Sequence, residues 1–353
     1  MAAPPAAAAV PTAAQEALAR AAAPAAPAAE PKAPKTHRGL TSLSVGGFEL
    51  DAVSIGGQET CICVPALKVA FDIGRCPQRA VHMEHLFLSH CHLDHVGGAG
   101  AYAATRSLLA LPPPAVFVPA ASAAALERYF AALRELDGSD IAARVTPVAP
   151  GGDVALRDGR HVVRPFATTH PVASQGYCVY SRRSKLRAEF VGLEGAAVAA
   201  LRRGGTAVSD VVETPVLAFT GDTGADWLAR RHEDAVTRDA LRAKLLIVEC
   251  TFIDGAGGRC HSDDCAAPAT HRLTPTPPAL LPSADAVTPA DARAWGHTHL
   301  DELIAQAEAF ENEAILLIHF SARYRRADIL AALAAKLPAS LAGRVTPLLE
   351  GYS

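Results

Sequence analysis

Four residues able to hold a divalent ion, His90, His92, Asp94 and His95, fall within six positions of the stretch 86–98, LFLSHCHLDHVGG. Imidazole nitrogens and carboxylate oxygens suit zinc and similar ions. In an extended chain, His90 and His92 point to one side, because side chains alternate along a strand. Asp94 and His95 then lie on the following turn and can face a second centre. Gly97 and Gly98 are expected to let the backbone bend next to the ions. Three more ligand-type residues follow apolar runs: His170 after FATT, Asp222 after VLAFTG and His319 after ILLI. Strands that end at one cleft would bring all seven together. His82, His85, His161 and His232 lack such a setting and read as surface or structural residues.

The elements that must position these residues are legible from their apolar patterns. Leu86, Phe87 and Leu88 form a strand that ends at Ser89. Before it, LSVGGFELDAVSIGG, TCICV and LKVAFDIG read as short antiparallel strands. AVFVPA reads as a buried strand between helices over 102–109 and 122–136. The second helix would place Ala125, Tyr129, Leu133 and Leu136 on one face. Residues 153–168 suggest a hairpin around Asp158 and Gly159. GYCVYS, VLAFTGDT, KLLIVECTF, AILLIHF and RVTPLLE then alternate with helices over 238–243, 300–308 and 326–336. The expected class is α/β, with two packed sheets and helices outside.

Residues 1–38 are almost all Ala and Pro, and the prolines break any long helix. They read as a disordered tail or, with only Glu16 and Glu30 acidic, as an organelle transit peptide. Chloroplast and nucleus or cytoplasm therefore both stay open. Residues 260–288 read as an exposed, disordered insertion. Its Cys260, His261, Cys265 and His271 match no standard zinc spacing. A nuclease-type domain is expected over 39–353.

The chain has 353 residues, 50% of them hydrophobic, and a formal net charge of −3. That balance gives no global basic signal, so any RNA contact must be a local patch. One such patch is an arm at about 181–206, where Arg182, Arg183, Lys185, Arg187, Arg202 and Arg203 outnumber Glu189 and Glu194. Cys91 sits between two candidate ligands and Cys250 within an apolar strand. The cysteines therefore do not form a disulfide framework, and a reducing, intracellular compartment is expected. No apolar run approaches the roughly 18 residues needed to cross a membrane.

The H-x-H-x-D-H pattern of His90, His92, Asp94 and His95 resembles the signature of the metallo-β-lactamase superfamily. The resemblance implies a four-layer αββα fold and a di-metal hydrolase site. The count of ligands gives His90, His92 and His170 to one ion, and Asp94, His95 and His319 to the other, with Asp222 bridging. Two Zn2+ per subunit are expected, about 3.5–4 Å apart, a spacing that suits in-line attack on a phosphodiester. The superfamily cuts many kinds of bond, so the substrate must be read elsewhere.

Longer segments narrow the resemblance. PALKVAFDIGRCPQRA, LFLSHCHLDHVGG, HPVASQGYCVYSRRSKLRAEFVGLEG, VLAFTGDT, LLIVECTF, ARAWGHTHLDEL and AILLIHFSARY are similar to the ribonuclease Z family, and most of all to its short plant and green-algal form. The similarity runs over about 56–352. It implies an endonuclease that removes the 3′ trailer from precursor tRNA, leaving a tRNA 3′-hydroxyl and a trailer 5′-phosphate. Asp94 would both ligate metal and orient the attacking hydroxide. Glu249, in VECTF, matches the Glu of the family's H-E-A-T motif, although Val248 and Cys250 replace its His and Ala. His297, in GHTH, matches the His of the H-S-T motif. A Glu beside a His raises the His pKa, so His297 could donate to the leaving 3′ oxygen. His299 is its rival, and the motif favours His297. The family also implies tRNA gripping by the basic arm, here without the longer Gly/Pro-rich arm of the bacterial form, and a homodimer. A general zinc phosphodiesterase acting on small diesters or other RNA, and a tRNA-binding pseudoenzyme, are the rival readings.

Overall fold

The computed structural model describes residues 40–254 and 286–352; the expectations for 1–38 and for most of the 260–288 insertion lie outside these residues. Seven strands make the first sheet, in sequence order: β1 (Thr41–Val45), β2 (Phe48–Ile55), β3 (Glu59–Val64), β4 (Val69–Phe71), β5 (His85–Phe87), β6 (Ala115–Pro119) and β7 (Arg144–Val148). Seven more make the second: β8 (Val154–Ala155), β9 (His161–Ala167), β10 (Gln175–Leu186), β11 (Ser209–Phe219), β12 (Leu245–Glu249), β13 (Ala314–Ile318) and β14 (Val345–Pro347). In each sheet the first four strands pair antiparallel and the last four pair parallel. The two halves therefore repeat one topology, although no repeat is visible in the residues.

Alternation along the strands sorts the core into three interfaces. Leu245 and Ile247 of β12 face the first sheet, while Leu246 and Val248 face outward to helices. β13 repeats the pattern, with Leu316 and Ile318 inward and Ile315 and Leu317 outward. Between the sheets, Phe71 of β4 stacks on Phe219 of β11 with ring centroids 5.0 Å apart. Burial of such a ring contributes roughly 1.5–3 kcal/mol. Outside the first sheet lie α1 (Leu93–Val96), α2 (Ala99–Leu108) and α3 (Ala123–Asp137); outside the second lie α5 (Ala235–Ala240), α7 (Leu300–Ala305) and α8 (Arg326–Lys336). The short helices α4 (Gly195–Arg203) and α6 (Pro289–Ala294) belong to loops. The order is helix, sheet, sheet, helix, the expected αββα class.

Several local expectations are corrected. α3 buries Leu126 and Phe130, whereas Tyr129 and Leu136 are 36% and 84% exposed. The larger apolar pair, four residues apart, sets the buried stripe one position away from the expected one. α5 begins at Ala235 and not at 238, because the Asp234 carboxylate accepts the amides of Val236 and Thr237 at 3.2 and 3.0 Å. α7 stops at Ala305 and a short 3-10 turn follows.

Gly97 and Gly98 do not bend the chain; both have helical backbone angles. Their role is contact. A Cβ on Gly98 would collide with the backbone of Arg75 and Cys76, and one on Gly74 with the backbone of Asp94. The loop after β4 thus lies directly on α1, with Ile73 N donating to His95 O at 2.7 Å. Gly74→Ala is expected to force the two apart and to destabilise the fold by about 1–3 kcal/mol, read as a lowered denaturant midpoint at unchanged slope.

Candidate metal centre

β4, β5, β9, β11, β12 and β13 all end at one edge of the sandwich, and the residues just past them converge there. β5 leads to His90 and His92, α1 carries Asp94 and His95, β9 leads to His170, β11 to Asp222 and β13 to His319. The structure brings all seven into two adjoining groups. In the first, His92 Nδ1 is 3.1 Å from His90 Nε2 and 3.0 Å from His170 Nε2. In the second, His95 Nε2 lies 3.3 Å from His319 Nε2 and 3.2 Å from Asp222 Oδ2, with Asp94 Oδ2 at 3.6 Å. Asp222 Oδ2 is also 3.8 Å from His90 Nε2, so this carboxylate stands between the groups.

The outward ring nitrogens show which nitrogens are free. His95 Nδ1 donates to Asp72 Oδ2 at 2.7 Å, and His170 Nδ1 donates to the Gly296 carbonyl at 2.8 Å. The Ser89 hydroxyl donates to Asp72 at 2.7 Å and so accepts from His90 Nδ1 at 3.0 Å. Thr251 donates its hydroxyl to Glu249 and so accepts from His319 Nδ1 at 3.0 Å. In its neutral form each of these four rings thus turns its Nε2 lone pair inward. With His95 neutral, its Nε2 lone pair faces that of His319 at 3.3 Å, a contact that repels unless a cation lies between them. Ligands about 2.0–2.2 Å from a tetrahedrally held ion stand roughly 3.3–3.6 Å apart, close to the separations here. Asp222 Oδ1 is buried without a hydrogen-bond partner, as a bridging carboxylate would be before it meets an ion. The donor set therefore fits a pair of divalent ions.

Electrostatics agree. Burial keeps His90 and His92 below the usual imidazole range and lowers His170 to about 4, so these rings are neutral donors. Burial also opposes charge on His95, but Asp222 and Asp72 outweigh it and hold its pKa well up. A field that favours a proton there favours a metal cation, which must displace that proton. Although burial disfavours its charge, hydrogen bonding and charge from His319 and His95 hold the Asp94 carboxyl at about 2. Its Oδ2 accepts the Gly57 amide at 3.0 Å.

Beside these groups sits a second pair. Glu249, at the end of β12, is fully buried, which excludes a strand-end surface charge. It accepts from Thr223 N at 2.5 Å, Thr298 N at 3.2 Å and His297 Nδ1 at 3.2 Å. Burial alone would lower His297, but the Glu249 carboxylate raises it to about 9. Its rival His299 serves another purpose: its Nδ1 accepts the Asp301 amide at 3.1 Å and caps α7.

Asp72 escaped the sequence reading. It holds both His95 and Ser89, is fully buried and has φ +55°. His319 also lies in the left-handed region, at φ +63°. Such backbone costs about 1–3 kcal/mol and clusters at functional sites.

The basic segment is a two-stranded ribbon and a short helix. Past Ser181, β10 leaves β9 and runs on with β11 alone, and α4 closes the far end. Arg183, Lys185, Arg202 and Arg203 are exposed. Arg182 and Arg187 instead meet acids, Glu213 at 2.7 Å and Asp210 at 2.9 Å. Cys61, Cys63, Cys76, Cys91, Cys178 and Cys250 are free thiols. No helix among the described residues is long and apolar enough to cross a membrane.

Two packed sheets with helices outside, and paired His/Asp groups at shared strand ends, are the architecture of the metallo-β-lactamase fold. The tRNase Z TRZ1 of Arabidopsis thaliana is 40% identical over 311 residues, which cover 88% of this chain and 98% of that protein. The chloroplastic tRNase Z TRZ2 of the same plant is 36% identical over 305 residues, covering 86% and 76%. The chain belongs to the tRNase Z family, a family of ribonucleases. Membership implies divalent-metal binding, and the two groups above are able to provide it. No model of a protein family matches the chain. Among solved structures, the metallo-beta-lactamase fold protein YhfI from Bacillus subtilis aligns with a TM-score of 0.49 at 13% identity, covering 85% of this chain and 94% of that one.

Proposed function

We propose that the chain is a zinc-dependent endoribonuclease that removes the 3′ trailer from precursor tRNA, leaving a tRNA 3′-hydroxyl and a trailer 5′-phosphate. The observation that carries this reading is the pairing of inward-facing ligand groups with a buried Glu249–His297 couple, in a chain alignable with 98% of a tRNase Z. His90, His92 and His170 would hold one Zn2+, Asp94, His95 and His319 the other, and Asp222 both. When bound, the ions supply Lewis acidity toward the phosphodiester and acidify water.

The chain's own residues do the rest. Asp94, ionised at neutral pH and fixed by the Gly57 amide, accepts a hydrogen bond from the attacking water and aims it. Glu249 keeps His297 protonated, and His297 gives its proton to the departing 3′ oxygen. Asp72 fixes the ring of His95.

We assign tRNA contact to the ribbon and α4, with a homodimer in which the arm of one subunit grips the tRNA cut by the other. Residues 1–38 would be an appended tail or transit segment. Replacing Arg183, Lys185 and Arg203 by Ala is expected to weaken tRNA binding. Each lost phosphate contact should reduce the slope of log affinity on log salt by about 0.7–0.9. Hydrolysis of a small aryl diester should persist, since the ligand groups are untouched; a parallel loss would make the arm a folding element. Rates on precursor tRNA and on an aryl diester, compared in one preparation, test the proposed activity. A strong preference for precursor tRNA supports it, and equal or reversed preference supports a general phosphodiesterase.

A further inference from the structure

Arg182 stands where the second sheet narrows from four strands to two. Its amide donates to Arg160 O at 2.6 Å just before β9 is left behind, and it pairs across the ribbon with Glu213. Around it, four charged side chains close a ring. Arg164 of β9 grips Asp153, at the foot of β8, through Nε at 2.7 Å and Nη2 at 3.0 Å, and reaches Glu213 of β11 at 2.6 Å. Arg182 of β10 binds the same two acids, Glu213 at 2.7 Å and Asp153 at 3.2 Å. Two cations and two anions cancel. The ring ties four strands together at the root of the arm. It is anchored to the body by the Arg164 guanidinium, 4.6 Å over the Tyr180 ring, whose hydroxyl donates to Asp239 of α5 at 3.0 Å.

A two-stranded ribbon is marginally stable by itself and twists easily. Its angle must be fixed at its base. Isolated surface ion pairs contribute little, but a closed network with a bidentate Arg is the exception. We infer that the ring of Asp153, Arg164, Arg182 and Glu213 is a clamp that sets the angle of the arm and thereby the phosphate presented to the metal centre. Arg182 is then a positioning residue, committed to carboxylates and not to RNA phosphate. This rests on the tRNA reading above, in which the arm docks the substrate at a fixed distance from the cut.

The test uses the full chain carrying Arg182→Gln, Arg182→Lys or Glu213→Gln, with Arg183→Ala for comparison. Four quantities are read: KM and kcat on precursor tRNA, the mapped cleavage position, the salt slope of tRNA binding, and amide exchange in the ribbon. Lysine keeps the charge but cannot bridge both acids. All three clamp variants should raise KM about 3–10-fold, spread cuts over neighbouring phosphates and speed exchange over 182–187 and 208–213. The salt slope and the aryl diester rate should not change. Arg183→Ala should do the reverse, lowering the slope by about 0.7–0.9 at an unchanged cleavage position.

The clamp is overturned if Arg182→Lys behaves as wild type while Arg182→Gln lowers the slope, since Arg182 would then be a phosphate ligand. It is equally overturned if ribbon exchange and cleavage position are unmoved in every clamp variant. Failure of the tRNA reading looks different: the wild-type protein would leave precursor tRNA uncut, while exchange in the ribbon would still report on the clamp.

Discussion

His92→Ala is expected to abolish cleavage of precursor tRNA and to lower bound zinc by about one ion per chain. His92 Nδ1 is the nitrogen that closes the first group, 3.0 Å from His170 and 3.1 Å from His90. Alanine leaves two imidazoles and the far side of Asp222, too few ligands for a tetrahedral protein site. Loss of a residue that merely orients a metal ligand costs about 10–100-fold in metal affinity, so loss of a ligand should cost more. The fold should survive, because His92 is half-buried and outside the three apolar interfaces. Metal analysis, circular dichroism and cleavage on one preparation decide it. Full activity from a His92→Ala protein with reduced zinc would remove the first group from the mechanism.

His297→Ala should slow cleavage by about 10²–10⁴, the usual worth of a general acid, at normal zinc content. The ribose 3′ oxygen is a poor leaving group and needs a proton as it departs. A nitrophenyl diester has a good leaving group and should be much less affected. The pH profile adds a second reading. Because Glu249 raises His297 above the usual imidazole range, the acid stays protonated to higher pH than a free imidazole would, and its contribution falls as pH rises through that raised pKa. Glu249→Gln withdraws the charge that raises it, so the fall should move to lower pH. Equal losses on both substrates would instead make His297 a support of the fold or of the metal groups.

Much of the centre was legible because its residues are dense or repeat a position. Four ligand-type residues in six positions exceed what a loop explains. His170, Asp222 and His319 share one mark, the end of an apolar strand, which the parallel strands convert into one edge. Glu249 and His297 were legible only through family resemblance, since their meeting depends on β12 and the loop before α7 lying side by side. Asp72 was missed because a lone Asp before Ile-Gly reads as a turn; its partners stand 17 and 23 residues away. The clamp was missed for a related reason. Arg182 and Arg183 are alike in sequence, and only strand pairing shows that one faces Glu213 while the other faces solvent. In α3, two apolar stripes adjoin, and packing against the first sheet, which spacing does not encode, chose Leu126 and Phe130.

The mechanism turns on metal-dependent hydrolysis at the tRNA–trailer junction. It is tested most directly by end-mapping the products from labelled precursor tRNA cut by the full chain, before chelation, after it, and after zinc is restored. The proposed mechanism predicts one cut with a 3′-hydroxyl on the tRNA and a 5′-phosphate on the trailer, lost on chelation and recovered with zinc. A 2′,3′-cyclic phosphate at the tRNA end, or cleavage that persists in the chelated protein, would contradict it.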